Sequence, residues 1–353
     1  MNVYLYDAVR TPRGKARPDG GLAGLTPQDL IRQQVAALAA RCGETATTPD
    51  ALLLGCVTQS GAQGGHIAML AKLHAGLPDT TAAHSINNYC ASGLSAIGQA
   101  VAKVASGEAS HILAGGVESM SQSQFLSDRA AFYGNVELPP RARFVPPVLA
   151  ADRLANAEGI NRAELDAVAL ASQQKAGATD TDTALQYSRI ATGPLTGEEC
   201  IRPQTTAESL AAAPPAFGEL QQQYAGALDG ATFAPLHSIA HAPPICDGAG
   251  LALVGSEGVG PSPRARVIAF AESGGDPAAS LTAGFAAMDK VLARAQVNVS
   301  GGHLAKGHPM GASGAILIST LLDALDACGG RYGLVVLTGA MGVGAAMVVE
   351  RQA

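Results

Sequence analysis

Cys90 stands at the end of a polar run, SINNY, and directly before ASGLSAIGQAVAKVAS, a stretch of small residues that reads as a helix. The start of a helix presents unpaired N–H groups and the positive end of the peptide dipole, both of which favour an anion. Such a position lowers a thiol pKa and frees thiolate near neutral pH, which makes Cys90 a candidate nucleophile. Buried, inert cysteine is the commoner fate of this residue type, and position alone leaves both readings open. His308 sits in GHPMGASG, ahead of Pro309 and a Gly-Ser turn of the same character. A thiol and an imidazole offered from two such turns are the minimum for nucleophilic acyl transfer. His303, five residues earlier, is either a second base or an ordinary loop histidine.

Other candidates are weaker. Cys42 and Cys328 fall at helix ends beside glycine, where the dipole has the opposite sign, and Cys56, Cys200 and Cys246 have no comparable setting. His237 and His241 are four apart in a proline-flanked loop with no third ligand, so no metal site is expected. The chain has no HExxH, no Walker-A sequence and no GxGxxG after its first strand, which disfavours zinc hydrolases, NTPases and dinucleotide enzymes.

The elements that must position these residues follow an α/β pattern. Val3–Val9 reads as a strand, and a helix follows with Thr26 as N-cap, Pro27 at its first position and Leu30, Ile31, Val35 and Leu38 as its buried stripe. Another buried run, Ala51–Val57, precedes the glycine-rich GAQGGH. Residues 84–120 and 296–344 share one design: strand, polar turn, an ASG tripeptide opening a small-residue helix, then an apolar strand ending in glycines. Ala91-Ser92-Gly93 and Ala312-Ser313-Gly314 are the matching anchors, from a duplicated unit or from the general taste of strand-to-helix turns for Gly and Ser. Between the copies, residues 119–239 are polar and broken by Pro-Pro pairs, with one clear helix after Asn161, and read as an inserted lobe.

Composition sets the outer limits. The 353 residues suffice for two or three domains, and 47% hydrophobic content at mean hydropathy +0.17 supports a large core. With no Trp and 4% aromatics, that core must be small aliphatic side chains packed closely. A net charge of -6 without Lys/Arg runs excludes nucleic acid as a partner. Gly333–Val349 is the best candidate for a membrane span, but its four glycines and turn-like middle fit two short strands better, so no membrane is expected. Six cysteines without CxxC spacing, and an N-terminus unlike a signal peptide, point to reduced thiols in the cytoplasm.

Six blocks in order resemble the thiolase family of acyl-CoA C-acyltransferases: DAVRTPRGK (7–15), NNYCASG (87–93), GGVESMS (115–121), RPQTTAESL with PAF (202–217), ICDGAG (245–250) and NVSGGHLAKGHPMGASGA (298–315). The resemblance implies an α/β, thiolase-like fold of two duplicated βαβαβ-type halves in a five-layer core plus an inserted loop domain. The N-terminal half would span 1–118, completed by about 240–258, the loop domain covering the CoA site 119–239, and a shortened C-terminal half 259–353. Carried over by position, Cys90 takes the acyl group, His308 activates the thiol and helps bind the thioester oxygen, and the N–H groups of Cys90 and Ala340 form an oxyanion hole. Coenzyme A is implied as substrate and product rather than as a bound cofactor, with no metal and a homodimeric or homotetrameric assembly.

The sequence also departs from the family. Counting back without gaps from Glu350, the place of the family's second catalytic cysteine is Thr338, whose hydroxyl is too weak an acid to supply a base. His303 is then the candidate substitute base. The family's asparagine-bearing NEAFA block would fall at Ala295–Gln296, where the chain is short by on the order of 30 residues. His-Ala-Pro-Pro-Ile (241–245) replaces a stretch that contributes a CoA-contacting serine in the family. The expected activity is thiolysis of a 3-ketoacyl-CoA or the reverse Claisen condensation. The alternatives are acyl transfer without carbon–carbon bond chemistry, or a non-catalytic acyl-CoA-binding subunit.

Overall fold

A computed structural model describes residues 1–134, 137–292 and 302–352; the Ala295–Gln296 junction lies outside them. β1 (Tyr4–Arg10) leads through the short β2 (Gly14–Lys15) to α1 (Pro27–Cys42). Thr26 caps α1: its hydroxyl accepts the Asp29 N–H, and the Asp29 carboxylate accepts the Thr26 N–H. β3 (Ala51–Gly55), α2 (Ile67–His74), β4 (Ala82–Ile86), α3 (Ser92–Ser106) and β5 (His111–Ser119) follow. The inserted lobe carries α4 (Pro147–Ala157), α5 (Arg162–Thr179), α6 (Ala207–Ala212) and α7 (Gly218–Gln223). β6 (Cys246–Gly255) returns to the core, followed by β7 (Ala265–Gly274), α8 (Ala283–Val291), α9 (Gly302–Lys306) and α10 (Ser313–Cys328). The chain closes with β8 (Tyr332–Gly339) and β9 (Val343–Arg351), so the long uncharged run at 333–349 is a pair of strands joined by a tight turn.

Among the described residues nine strands form one sheet in the order β4-β3-β5-β6-β1-β7-β9-β8, with β2 beside β6. β3 runs parallel to β4 and β5, and the other pairings are antiparallel. β1 and β7 meet over two residue pairs, Tyr4–Arg266 and Leu5–Ala265, so the sheet divides there into halves. The halves repeat one plan: β6 lies between β5 and β1 as β9 lies between β8 and β7, and α3 feeds β5 as α10 feeds β8. The first half adds β3, α2 and β4, for which the described residues of the second half hold no counterpart. β8 is therefore an end strand where its equivalent, β5, is central.

Layering follows from the hydrophobic faces. α1 and α2 cover the outer face of the first half, α8 covers the outer face of the second, and α3 and α10 lie between the two. A helix buried on all sides must be apolar or small all round, which explains the Gly, Ala and Ser of α3 and α10. Their N-terminal turns abut through the ASG anchors. A side chain on Gly314 would lie 2.2 Å from the Leu94 backbone nitrogen, and one on Gly93 2.5 Å from the Gly311 carbonyl. Two helix starts are thereby brought to one place from sequence positions more than two hundred residues apart.

The lobe is fastened to this core by buried polar contacts. Ser188 N–H donates to Asp323 of α10 at 2.8 Å, and Glu198 accepts from Arg10 and Arg13 at 2.6 and 3.3 Å. Because the obstacle at Gly314 is backbone, Gly314→Ala is expected to cost roughly 1–3 kcal/mol of stability as overpacking. Chemical denaturation of that variant checks this, and an unchanged midpoint would contradict the close helix approach.

Candidate active site

The polar run after β4 fastens the Cys90 loop to both halves. Asn87 donates to the Val57 carbonyl and accepts from the Tyr89 N–H, each at 3.0 Å. Asn88 donates to Glu272 of β7 and to Ser95 of α3, also at 3.0 Å, and Ser95 itself hydrogen-bonds Glu272. Tyr89 adopts φ 46°, an uncommon left-handed conformation that makes the turn into α3. Across from it, the β8–β9 turn brings Gly339 so near that a side chain there would sit 3.2 Å from Cys90 N. The backbone N–H groups of Ala340 and of Cys90 are near enough to the Cys90 sulfur to favour its thiolate.

The second loop is held by a buried carboxylate. Glu118, on β5 and without solvent exposure, accepts the N–H groups of Val57, Thr58 and Gly311 at 2.9, 3.0 and 2.9 Å. It also accepts the Gln63 side-chain amide at 2.9 Å. Gly311 belongs to the turn after His308, so one side chain ties the exit of β3 to that turn. His308 N–H donates to the Pro244 carbonyl at 3.1 Å, and its Nδ1 shares a 2.7 Å hydrogen bond with Ser313 of the second ASG anchor. Its ring packs on His303 with centroids 5.0 Å apart.

A cavity of about 30 Å³ opens beside Cys90. Val57, Thr58, Tyr89, Met310 and Ala340 line it from the core; Phe125, Leu126, Tyr133, Phe144 and Pro147 close it from the lobe. Among the described residues, Asp128 is the one charged residue in its wall. Burial pushes the Cys90 thiol up to about 11, against the pull of the Ala340 N–H and with added repulsion from Glu118. The lowered pKa expected from a helix start is thus overturned: desolvation of a buried thiolate outweighs the N–H groups near it. Burial and the Arg13 charge push His308 down to about 4, and burial with His308 and Arg13 holds His303 well below the usual imidazole range. The resting pair is therefore thiol and neutral imidazole, not thiolate and imidazolium.

Arg13 belongs to a buried cationic group beside the histidines. Burial alone would raise Glu198, but Arg10 and Arg13 hold it at about 2. Lys306, on α9, has no hydrogen-bond partner for Nζ and is pushed down to about 7 by burial and by Arg10.

Two family models match the chain: the thiolase N-terminal domain over residues 3–258 and the thiolase C-terminal domain over 287–351. The chain belongs to the thiolase family. Among curated relatives, a beta-ketoadipyl-CoA thiolase of Pseudomonas knackmussii is 32% identical, with 99% of each chain covered. A 3-oxoadipyl-CoA/3-oxo-5,6-dehydrosuberyl-CoA thiolase of Escherichia coli is 29% identical over 99% of both. Human mitochondrial 3-ketoacyl-CoA thiolase in complex with CoA superimposes with a TM-score of 0.83 at 25% identity, covering 100% of this chain and 98% of that one. The Pseudomonas alignment runs over 412 positions against 353 residues here, so at least 59 of them stand opposite no residue of this thiolase.

In this thiolase the structure brings Cys90 and Ala340 together, with Met310, two residues past His308, in the same cavity wall. No hydrogen bond joins His308 to Cys90 among the described residues; His308 is engaged with Ser313, and His303 lies behind it without a hydrogen-bond partner for Nε2. Thr338 does not line the cavity: a side chain on Gly284 of α8 would stand 2.4 Å from its methyl carbon. His237 and His241 are taken up by Asp152 and Asp166 at 2.6 and 2.8 Å. Glu118, Arg13 and the aromatic roof escaped the sequence reading. A lone Glu inside the apolar run HILAGGVES was the available signal for the first.

A thiol with pKa about 11 gains thiolate by about tenfold per pH unit throughout the neutral range. Iodoacetamide labelling of Cys90, read by peptide mass, is accordingly expected to accelerate continuously from about pH 7 to beyond pH 9. A plateau near neutral pH would mean that the thiolate is already formed.

Proposed function

We propose that Cys90 carries the acyl group as a thioester in a thiolase-type acyl-CoA C-acyltransferase, using CoA-dependent thiolysis of a 3-ketoacyl-CoA or the reverse Claisen condensation. The observation that carries this reading is the placement of Cys90, at the turn that opens α3, with the β8–β9 turn residue Ala340 in the wall of one mostly apolar cavity. A thioester carbonyl attacked by the sulfur there would have the Cys90 and Ala340 N–H groups beside it to receive the oxygen that becomes negative.

In acyl transfer, the Cys90 Sγ–carbonyl carbon bond forms while the thiol proton leaves toward His308. The tetrahedral intermediate then collapses with CoA sulfur as the leaving group, which takes a proton as free thiol. In the empty site this proton transfer is uphill, because the thiol sits at about 11 and the imidazole at about 4. It becomes feasible as negative charge moves onto the carbonyl oxygen and is received by the two N–H groups. Carbon–carbon bond making or cleavage also requires a proton to be moved at the acetyl carbon. Thr338 is turned toward α8, so we assign that step to the His308–His303 pair, whose rings pack 5.0 Å apart.

Coenzyme A is the substrate and leaves as product, and in this reading the 119–239 lobe covers it. The open end strand β4, half-exposed along its length, supports a homo-oligomer formed by pairing with a second copy. Six free cysteines support a reducing, cytoplasmic setting. The named relatives are thiolases, which favours neither a hydrolase-like enzyme without carbon–carbon chemistry nor a non-catalytic subunit.

Incubation with acetyl-CoA followed by intact-mass measurement tests this assignment. The wild-type chain is expected to gain one acetyl group, released again by added CoA, and Cys90→Ala to gain none. Acetylation that persists in Cys90→Ala, or a wild type that acetyl-CoA never labels, would overturn it.

A further inference from the structure

The Cys90 cavity does not end against the bulk of the lobe. Two of its roof residues, Tyr133 and Phe144, also line a second and larger cavity of about 150 Å³, bounded on its far side by Phe132, Arg143 and Tyr224. The two rings are the partition between the two spaces. On the Cys90 side, about 30 Å³ is two to three times the roughly 10–15 Å³ that one water needs, room for an acetyl group and little more.

This partition is braced from both sides. The Tyr133 hydroxyl donates to Asp128 at 2.9 Å. The Tyr133 and Phe144 rings meet edge-on at 5.1 Å, Phe132 packs on both at 4.7 and 6.1 Å, and Tyr224 packs on Phe144 at 6.2 Å. In a chain with seven Phe and seven Tyr, five of these fourteen aromatic residues gather at this wall: Phe125, Phe132, Tyr133, Phe144 and Tyr224. The wall also has a charge. Asp128 faces the Cys90 cavity, and among the described residues no Lys or Arg lines it. A carboxylate at the end of an acyl chain would meet a like charge there and no partner.

We propose that the Tyr133–Phe144 partition and Asp128 restrict the acyl group on Cys90 to a short, uncharged one of acetyl size. This rests on the acyl-enzyme reading above and names its substrate class. Thiolysis of a six-carbon 3-oxo diacid chain, the kind named for the bacterial relatives, leaves a four-carbon acyl group ending in a carboxylate on the cysteine. The cavity here excludes that group by both length and charge. Tyr133 is the length-setting residue and Asp128 the charge-setting residue.

Single-turnover acylation of Cys90, read by intact mass with acetyl-, hexanoyl- and succinyl-CoA, tests the proposal. Each methylene that a pocket cannot accept costs roughly 10–200-fold, so the wild type is expected to take hexanoyl and succinyl groups at least about 100-fold more slowly than acetyl. Tyr133→Ala joins the two cavities and is expected to raise the hexanoyl-to-acetyl ratio by at least about tenfold. Asp128→Asn is expected to raise the succinyl ratio and leave the hexanoyl ratio low. Wild-type acylation by hexanoyl- or succinyl-CoA within a few-fold of acetyl would overturn the proposal, whether or not either variant folds. So would a folded Tyr133→Ala with an unchanged hexanoyl ratio. If no acyl-CoA labels Cys90 in the wild type, the acyl-enzyme reading itself fails and this inference falls with it.

Discussion

A single buried carboxylate sets the geometry of the site. Glu118 accepts N–H groups from the exit of β3 and from the turn after His308, two segments separated by more than 250 residues. Each N–H would otherwise be a buried donor without a partner, a defect worth about 1–3 kcal/mol apiece, so the turns have strong reason to converge on it. The glycines beneath allow the convergence to be close. Gly93 and Gly314 let two helix starts meet at backbone distance, where any side chain would hold them apart. The cavity at Cys90 is what remains between these turns and the lobe above them.

Electrostatics follows from the same burial. A half-buried sulfur in a mostly apolar wall is one at which a free thiolate is costly, and the Cys90 thiol is raised accordingly. Burial pushes His308 toward its neutral form, and Arg13, buried and sharing Glu198 with Arg10, adds a positive charge in the same direction. Charge separation is thus deferred until substrate supplies a carbonyl oxygen to receive it. This is the pattern expected of a site organised for the transition state rather than for the resting enzyme.

The sequence made some of this legible and hid the rest for identifiable reasons. The Cys90 and His308 turns stand out because strand-to-helix turns at a close approach demand Gly, Ser and Ala, and those demands are local. SINNY reads as merely polar, yet each asparagine has a long-range partner, Val57 in one case and Glu272 in the other. The direction of the Cys90 shift depends on how deeply the lobe buries it, which no local pattern records. Thr338 falls at the family's cysteine position by counting, but it is still in β8 with its methyl against α8, while Ala340, past the strand end in the turn to β9, faces the cavity. The truncated second half was visible as missing length. That it leaves β8 as an end strand required the sheet order.

The proposed chemistry stands on one thiol and an imidazole pair, with the proton at the acetyl carbon assigned to His308 and His303 in place of a second cysteine. Hydrogen–deuterium exchange at the methyl group of acetyl-CoA, followed by NMR in heavy water, isolates that step from thioester formation. The account predicts exchange by the wild type, retained in Cys90→Ala and lost in His308→Ala. Exchange that survives His308→Ala, or its absence from a wild type competent for thiolysis, would contradict it.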